Sequence, residues 1–200
     1  METKAHARAS SRVADGACPQ GAGELPSQID ILVVGLGPVG AMVANLLAPH
    51  GVSVLAIDKA PDIYMAPRAI ALDNEALRIL QQAGISEGDF ETVAIPHVRM
   101  HSPWLGEFGR VNTLGSLDGH PKLVTFYQPD LERCLRARLA AHGDVHVALG
   151  TTLLSITNQP DGVLASLDIG CGQVHRVRAR YLVGADGASS LVRHLIGQEF

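Results

Sequence analysis

The sequence predicts an α/β fold: a parallel sheet with helices on its faces, plus additional β strands. Three observations carry that expectation. Short apolar runs at 29–34, 52–57 and 180–185 read as strands covered on both faces. The first and last of them lead into glycine-bearing turns that open helical patterns. Between them, apolar residues recur at helical spacing, most clearly at Leu131, Leu135 and Leu139. Composition agrees. Of 200 residues, 46% are hydrophobic and 18% charged, which excludes a mainly disordered chain. Lys and Arg number 16 against 20 Asp and Glu, so no positive footprint for nucleic acid exists. The 21 glycines exceed the ~7% norm. Aromatics at 4% are too few to line a large ring-binding pocket, which points to a site built from backbone.

Residues 1–28 are polar and lack an apolar segment of the secretory type, and Glu2, Asp15 and Glu24 count against a transit peptide. They are expected to form a disordered extension ahead of one domain at 29–200. A strand over 29–34 leads through Gly35-Leu36-Gly37-Pro38-Val39-Gly40 into a helix over 41–48. Pro49-His50-Gly51 ends that helix, and a second strand over 52–57 closes on Asp58. No charged residue occurs from Ile31 to Ile57, a stretch long enough to span a bilayer. Its Gly and Pro interruptions would leave backbone groups unpaired in lipid, so no membrane span is expected.

A connection over 68–72 precedes Asp73, which can cap a helix over 74–83, with Gly84 at its left-handed end. Strands are expected over 93–100, 107–112 and 123–126. In the helix over 129–141, Leu131, Cys134, Leu135 and Leu139 share the inner face, with Arg133, Arg136 and Arg138 turned to water. Further strands fall over 145–149, 153–157, 163–169 and 174–177, the middle pair joined through Gln159-Pro160-Asp161-Gly162 as a hairpin. After the strand over 180–185, Asp186-Gly187 turns into a helix over 189–196.

Cys18, Cys134 and Cys171 are too scattered for a disulfide framework, so ordinary thiols and a cytoplasmic setting are expected. The pairs His97/His101 and His142/His146 have ligand spacing only on a helix. The first lies in a strand pattern and the second straddles Gly143, so no metal site is expected. No general acid, base or nucleophile is identifiable, and the catalytic residues stay unknown.

Two motifs carry chemistry. Gly35, Gly37 and Gly40 form a GxGxxG after a buried strand and before a helix, and Asp58 ends the next strand. In this Rossmann-like arrangement Gly35 allows the tight turn, Gly37 admits a pyrophosphate, and Gly40 lets helix and strand close. The helix start, with Pro38 in the turn ahead of it, offers free N–H groups to phosphate. Asp58, with Lys59 beside it, is placed to accept bonds from ribose hydroxyls. The second motif, Asp186-Gly187-Ala188-Ser189-Ser190-Leu191-Val192-Arg193, sets an Asp-Gly at another strand end, where parallel sheets bind ligands.

Together these motifs resemble the single-component FAD-dependent aromatic hydroxylases of the p-hydroxybenzoate hydroxylase type. Asp186, Gly187, Ser190 and Arg193 match that family's D-G-x-x-S-x-x-R stretch. Pro67-Arg68-Ala69 with Asp73-Asn74-Glu75 is similar to the segment whose arginine reaches FAD. Gln128-Pro129-Asp130-Leu131-Glu132 is similar to the segment that opens a helix with a flavin-contacting glutamine. The likeness runs from about Ile29 to Gly197 and leans towards the 3-(3-hydroxyphenyl)propionate hydroxylase branch. It implies a Rossmann-like FAD-binding domain with the start of a substrate-side sheet. It also implies FAD as cofactor, NADH or NADPH as co-substrate, O2 as oxidant and a small aromatic substrate. The cofactor-binding set it implies is Gly35, Gly37, Pro38, Gly40, Asp58, Lys59, Arg68, Gln128, Asp186 and Gly187.

The family's chains are longer and carry a downstream Gly-Asp that has no counterpart here, so an N-terminal part truncated at the C-terminus is expected. A homo-oligomer is admitted for the full-length protein. Another FAD oxidoreductase on the same fold (an epoxidase, halogenase or reductase) and a non-catalytic nucleotide-binding chain stay open as alternatives.

Overall fold

The first strand, β1 (Gln28–Val34), lies inside the principal sheet because its residues meet apolar partners on both faces. The computed structural model describes residues 25–198, so the expectations for 1–24 and 199–200 lie outside the described residues. After β1 come α1 (Pro38–Leu47), β2 (Val54–Asp58), β3 (Ala71–Asp73) and α2 (Asn74–Gln82). Next are β4 (Thr92–Ala94), β5 (His97–Ser102), β6 (Gly106–Asn112), β7 (Ser116–Leu117), β8 (His120–Pro121) and β9 (Leu123–Phe126). The remainder is α3 (Gln128–Leu139), β10 (Val145–Leu149), β11 (Thr152–Gln159), β12 (Gly162–Asp168), β13 (Val174–Gly184) and α4 (Leu191–Leu195).

Six strands form one mixed sheet in the order β10-β2-β1-β13-β12-β11. The expected parallel part is β10-β2-β1-β13, and the additional strands β12 and β11 continue it antiparallel. β2 shows why the sheet is buried twice over. Val54 and Ala56 enter the core beneath α1 and α3, while Leu55 and Ile57 enter the opposite core with Leu167 and Val177. All four are at most 1% exposed. At about 1.5–3 kcal/mol per large buried side chain, β2 anchors the sheet to both cores. On the first face, Asn45 joins the helices: its Nδ2 donates to the carbonyls of Ala41 in α1 and Leu135 in α3, at 2.8 and 2.9 Å.

Several elements differ from expectation. Residues 174–184 form one strand instead of two, because alternation continues through the arginines. Val177 and Ala179 point into the core while Arg176, Arg178 and Arg180 point out, and Arg178 and Ala179 pair with both β1 and β12. The strand expected over 93–100 breaks at Pro96, which lacks the N–H a ladder needs. Its halves join different partners: β4 pairs with β9, and β5 with β6. The helix after the glycine turn starts at Pro38 rather than 41, since proline is preset for a first helical position. The last helix is shorter than expected, Leu191–Leu195. β3, β7 and β8 have no counterpart in the sequence reading, being two or three residues long.

Other details hold. Asp73 caps α2 by accepting from Ala76 N–H at 2.8 Å, Gly84 follows in left-handed geometry, and β11–β12 is a hairpin. Cys134 is a free thiol whose burial pushes it up in pKa. No helix among the described residues is long and apolar enough to cross a membrane.

Candidate functional site

The strand order switches sides at β1: the chain runs from β1 to β2 on one side, and β13 pairs parallel with β1 on the other. Open parallel sheets bind ligands outside the strand ends at such a point. The turn after β1 is tied to both neighbours. Gly35 N–H donates to the Ile57 carbonyl at 2.8 Å, and Ala185 N–H donates to the Val34 carbonyl at 2.7 Å. Gly35 has φ +97°, and a Cβ there would lie 2.4 Å from the Ala185 carbonyl oxygen and 2.8 Å from Asp186 Cα. A Cβ on Gly40 would lie 1.8 Å from the Gly35 oxygen. The glycine turn and the Asp-Gly turn, 150 residues apart, therefore touch through backbone.

Gly37 behaves differently. It is the N-cap of α1, with Pro38 following, no side-chain cap and no acidic residue in the first turn. A Cβ added there would meet nothing within 4 Å. The first-turn N–H groups of a helix have no carbonyl inside it and present the positive end of the helix dipole. The side of the turn at Gly37 is thus open space against the N-terminal backbone of α1.

Asp58 ends β2 beside this turn. Its Oδ2 accepts from Leu36 N–H and its Oδ1 from Ala60 N–H, both at 2.8 Å. Each carboxylate oxygen retains capacity for one more donor, so the group can shape the turn and still receive a hydroxyl. Lys59 beside it is exposed.

Asp186 is held by its own loop. Its Oδ1 accepts from Ser190 Oγ–H at 2.5 Å and its Oδ2 from the N–H groups of Leu191 and Val192 at 2.7 and 3.1 Å. Ser190 in turn accepts from Arg193 N–H at 3.0 Å and caps α4, and Arg193 Nη2 donates to the Ala188 carbonyl at 2.9 Å. Burial pushes the Asp186 carboxyl up, but the Ser190 hydroxyl and the N–H donors outweigh it and hold it below the ordinary carboxylate value. Gly187 follows with φ +82° and open space where a side chain would be.

Arg68 and Gln128 form a second group. Gln128 is buried at 3% exposure. Its Oε1 accepts from the backbone N–H of Arg68 and Ala69 at 2.8 and 2.9 Å, and its Nε2 donates to Glu132 Oε1 at 2.7 Å. The Arg68 guanidinium lies 5.4 Å above the Tyr64 ring. The structure thus gathers Gly35, Gly37, Pro38, Gly40, Asp58, Asp186 and Gly187 at one sheet edge, and joins Arg68 to Gln128 by backbone.

Sequence reading missed the inner polar face of α3. Glu132 is 2% exposed and the Arg136 side chain 14%, so Arg136 does not face water as expected. The spacing of Gln128, Glu132 and Arg136, each four apart, was the available signal.

Fold and turn together define a dinucleotide-binding α/β domain. Residues 28–200 match the family described as FAD binding domain, and the chain belongs to that family. It is 36% identical over 178 residues to a 3-(3-hydroxy-phenyl)propionate/3-hydroxycinnamic acid hydroxylase of Paraburkholderia xenovorans (strain LB400), covering 86% of this chain and 28% of that protein. It is 32% identical over 189 residues to a "Probable NADH-specific resorcinol 4-hydroxylase" of Rhodococcus jostii (strain RHA1), covering 90% and 34%. Among solved structures, p-nitrophenol 4-monooxygenase PnpA of Pseudomonas putida DLL-E4 superposes with TM-score 0.77 at 22% identity, covering 86% of this chain and 44% of that one. A ternary complex of aklavinone-11 hydroxylase with FAD and aklavinone gives TM-score 0.69 at 30% identity, covering 84% and 35%. The chain spans about three tenths of the length of the curated relatives it matches.

Proposed function

We propose that this chain holds FAD for a monooxygenase that hydroxylates a small phenolic acid in the cytoplasm, with NADH or NADPH as co-substrate and O2 as oxidant. The observation that carries the reading is the backbone contact of the glycine turn with Ala185-Asp186, beside an open Gly37. The names of the hydroxylase relatives support the reaction class. Bound FAD would supply electron transfer from the nicotinamide to O2.

The residues present fit the cofactor. Gly35, Gly37, Pro38 and Gly40 would hold the pyrophosphate on backbone N–H groups. Asp58, already oriented by Leu36 and Ala60, would accept from ribose hydroxyls, with Lys59 adjacent. Arg68 and Gln128 would serve the flavin side. Asp186 and Gly187 would border flavin and nicotinamide, with the Asp186 carboxylate kept ionised and immobile by its loop. All these roles bind and orient; none moves a proton.

The test has two readouts. Purified with excess FAD and desalted, the protein should retain absorbance near roughly 450 nm, and Gly37→Val should abolish it. With 3-(3-hydroxyphenyl)propionate, NAD(P)H oxidation should rise and yield a hydroxylated product in proportion. Retained flavin without any phenol-dependent product would discard the monooxygenase reading and leave FAD binding standing.

A further inference from the structure

We propose that Glu132 and Arg136 are positioning residues of the FAD site, forming with Gln128 a buried polar ladder on α3 that holds the glycine turn and the Arg68 segment in one arrangement. The inference rests on the FAD reading only for its consequence; the ladder itself is visible in the contacts. At one end, Arg136 Nη2 donates to the Leu36 carbonyl at 2.9 Å, inside the glycine turn. The same nitrogen lies 4.0 Å from Glu132 Oε2. Glu132 Oε1 accepts from Gln128 Nε2, and Gln128 Oε1 accepts from the N–H groups of Arg68 and Ala69. Leu36 is thereby gripped from both sides, its N–H by Asp58 and its carbonyl by Arg136.

The order of these groups is chemically constrained. A glutamine amide has one acceptor end and one donor end. Arg68 and Ala69 both offer N–H groups, so the acceptor end must face them. Glu132, an acceptor when ionised, fixes that choice by taking the donor end. Arg136 supplies the counter-charge that a carboxylate at 2% exposure needs. Stability alone does not require such a set, because apolar residues of similar volume often replace a buried ion pair without loss. What they cannot replace is orientation: without Glu132 the donor end of the Gln128 amide has no partner, and the two-pronged anchor of segment 68–69 loses its brace.

Trypsin reads this directly, since it cleaves after Arg68. In ligand-free protein of wild-type fold by circular dichroism, Glu132→Leu should be cleaved after Arg68 at least tenfold faster than wild type. Glu132→Gln keeps an acceptor but loses the fixed polarity and should fall between the two. In titrations, Glu132→Leu should weaken FAD at least tenfold, yet ADP, the half that the turn and Asp58 would hold, by no more than about twofold. Arg136→Met frees the Leu36 carbonyl and should weaken FAD and ADP by the same factor. Wild-type cleavage after Arg68 in Glu132→Leu overturns the ladder. If that variant does not fold, wild-type cleavage in Glu132→Gln overturns it equally. A wild-type protein that binds neither FAD nor ADP would sink the functional reading, while the ligand-free cleavage rates still decide the ladder.

Discussion

Two turns meet at the same edge of the sheet and are built by opposite means. The turn over 35–40 is shaped by missing side chains: Gly35 and Gly40 stand where a Cβ would enter backbone oxygen. The turn after β13 is shaped by one added side chain, the Asp186 carboxylate, which gathers a hydroxyl and two backbone N–H groups. The steric contacts fail when atoms are added, and the only carboxylate on that turn, Asp58, reaches it from β2 through Leu36 N–H. A polar turn tolerates volume but depends on a charge. Placing one against the other gives the site a rigid wall and a wall sensitive to acid.

The largest effect should come from adding an atom to the steric turn. Gly40→Ala puts a methyl group 1.8 Å from the Gly35 oxygen, and about 3–5 kcal/mol of stability should be lost in urea unfolding. A loss below about 1 kcal/mol would show that the turn yields more readily than its contacts imply. Gly37→Val sharpens the contrast inside the same turn. Stability should change by less than about 1 kcal/mol, because the added side chain meets open space. FAD affinity should nevertheless fall about a hundredfold, or about 2.7 kcal/mol, by flavin fluorescence titration.

Asp58→Ala removes a carboxylate that serves the turn as well as the ribose. FAD binding should weaken by about 1.5–3 kcal/mol. Equal affinity in wild type and variant would assign Asp58 to the turn alone. The smallest effect concerns the polar turn. The Asp186 carboxyl is held below its ordinary value of 3.8, so its contribution to stability is fully present above that value. The contribution is lost as pH falls through the lower folded-state value. Stability curves for wild type and Asp186→Asn, measured from pH 6 downwards, should therefore converge in acid. Curves that stay parallel would remove Asp186 from the acid response.

Legibility in the sequence followed the range of the interaction. Strand, glycine turn and helix over 28–47 could be read because their signals are local, an apolar run and a GxGxxG, although the helix start at Pro38 was placed three residues late. The capping of α2 by Asp73 was legible for the same reason. The unity of β13 was not, because its arginines face outward between two partner strands that local polarity does not reveal. Arg136 looked like a surface residue because a helical wheel of apolar positions cannot show that the other face meets a carbonyl 100 residues earlier. The site motifs stood out as words in the sequence, but their mutual contact at Gly35 and Ala185 is a property of the sheet order.

That sheet order also sets a timetable for synthesis. β1 pairs on one side with β2, which follows within a few dozen residues, and on the other with 178–184, about 150 positions later. At a translation rate of about 5–20 residues per second, that second edge of β1 stays unpaired for on the order of ten to thirty seconds. During that interval a strand rich in Ile, Leu and Val offers its free hydrogen-bonding edge to any neighbour. The ribosome-bound chain is therefore most open to wrong pairing, and to capture by a chaperone, between the emergence of β2 and that of β13.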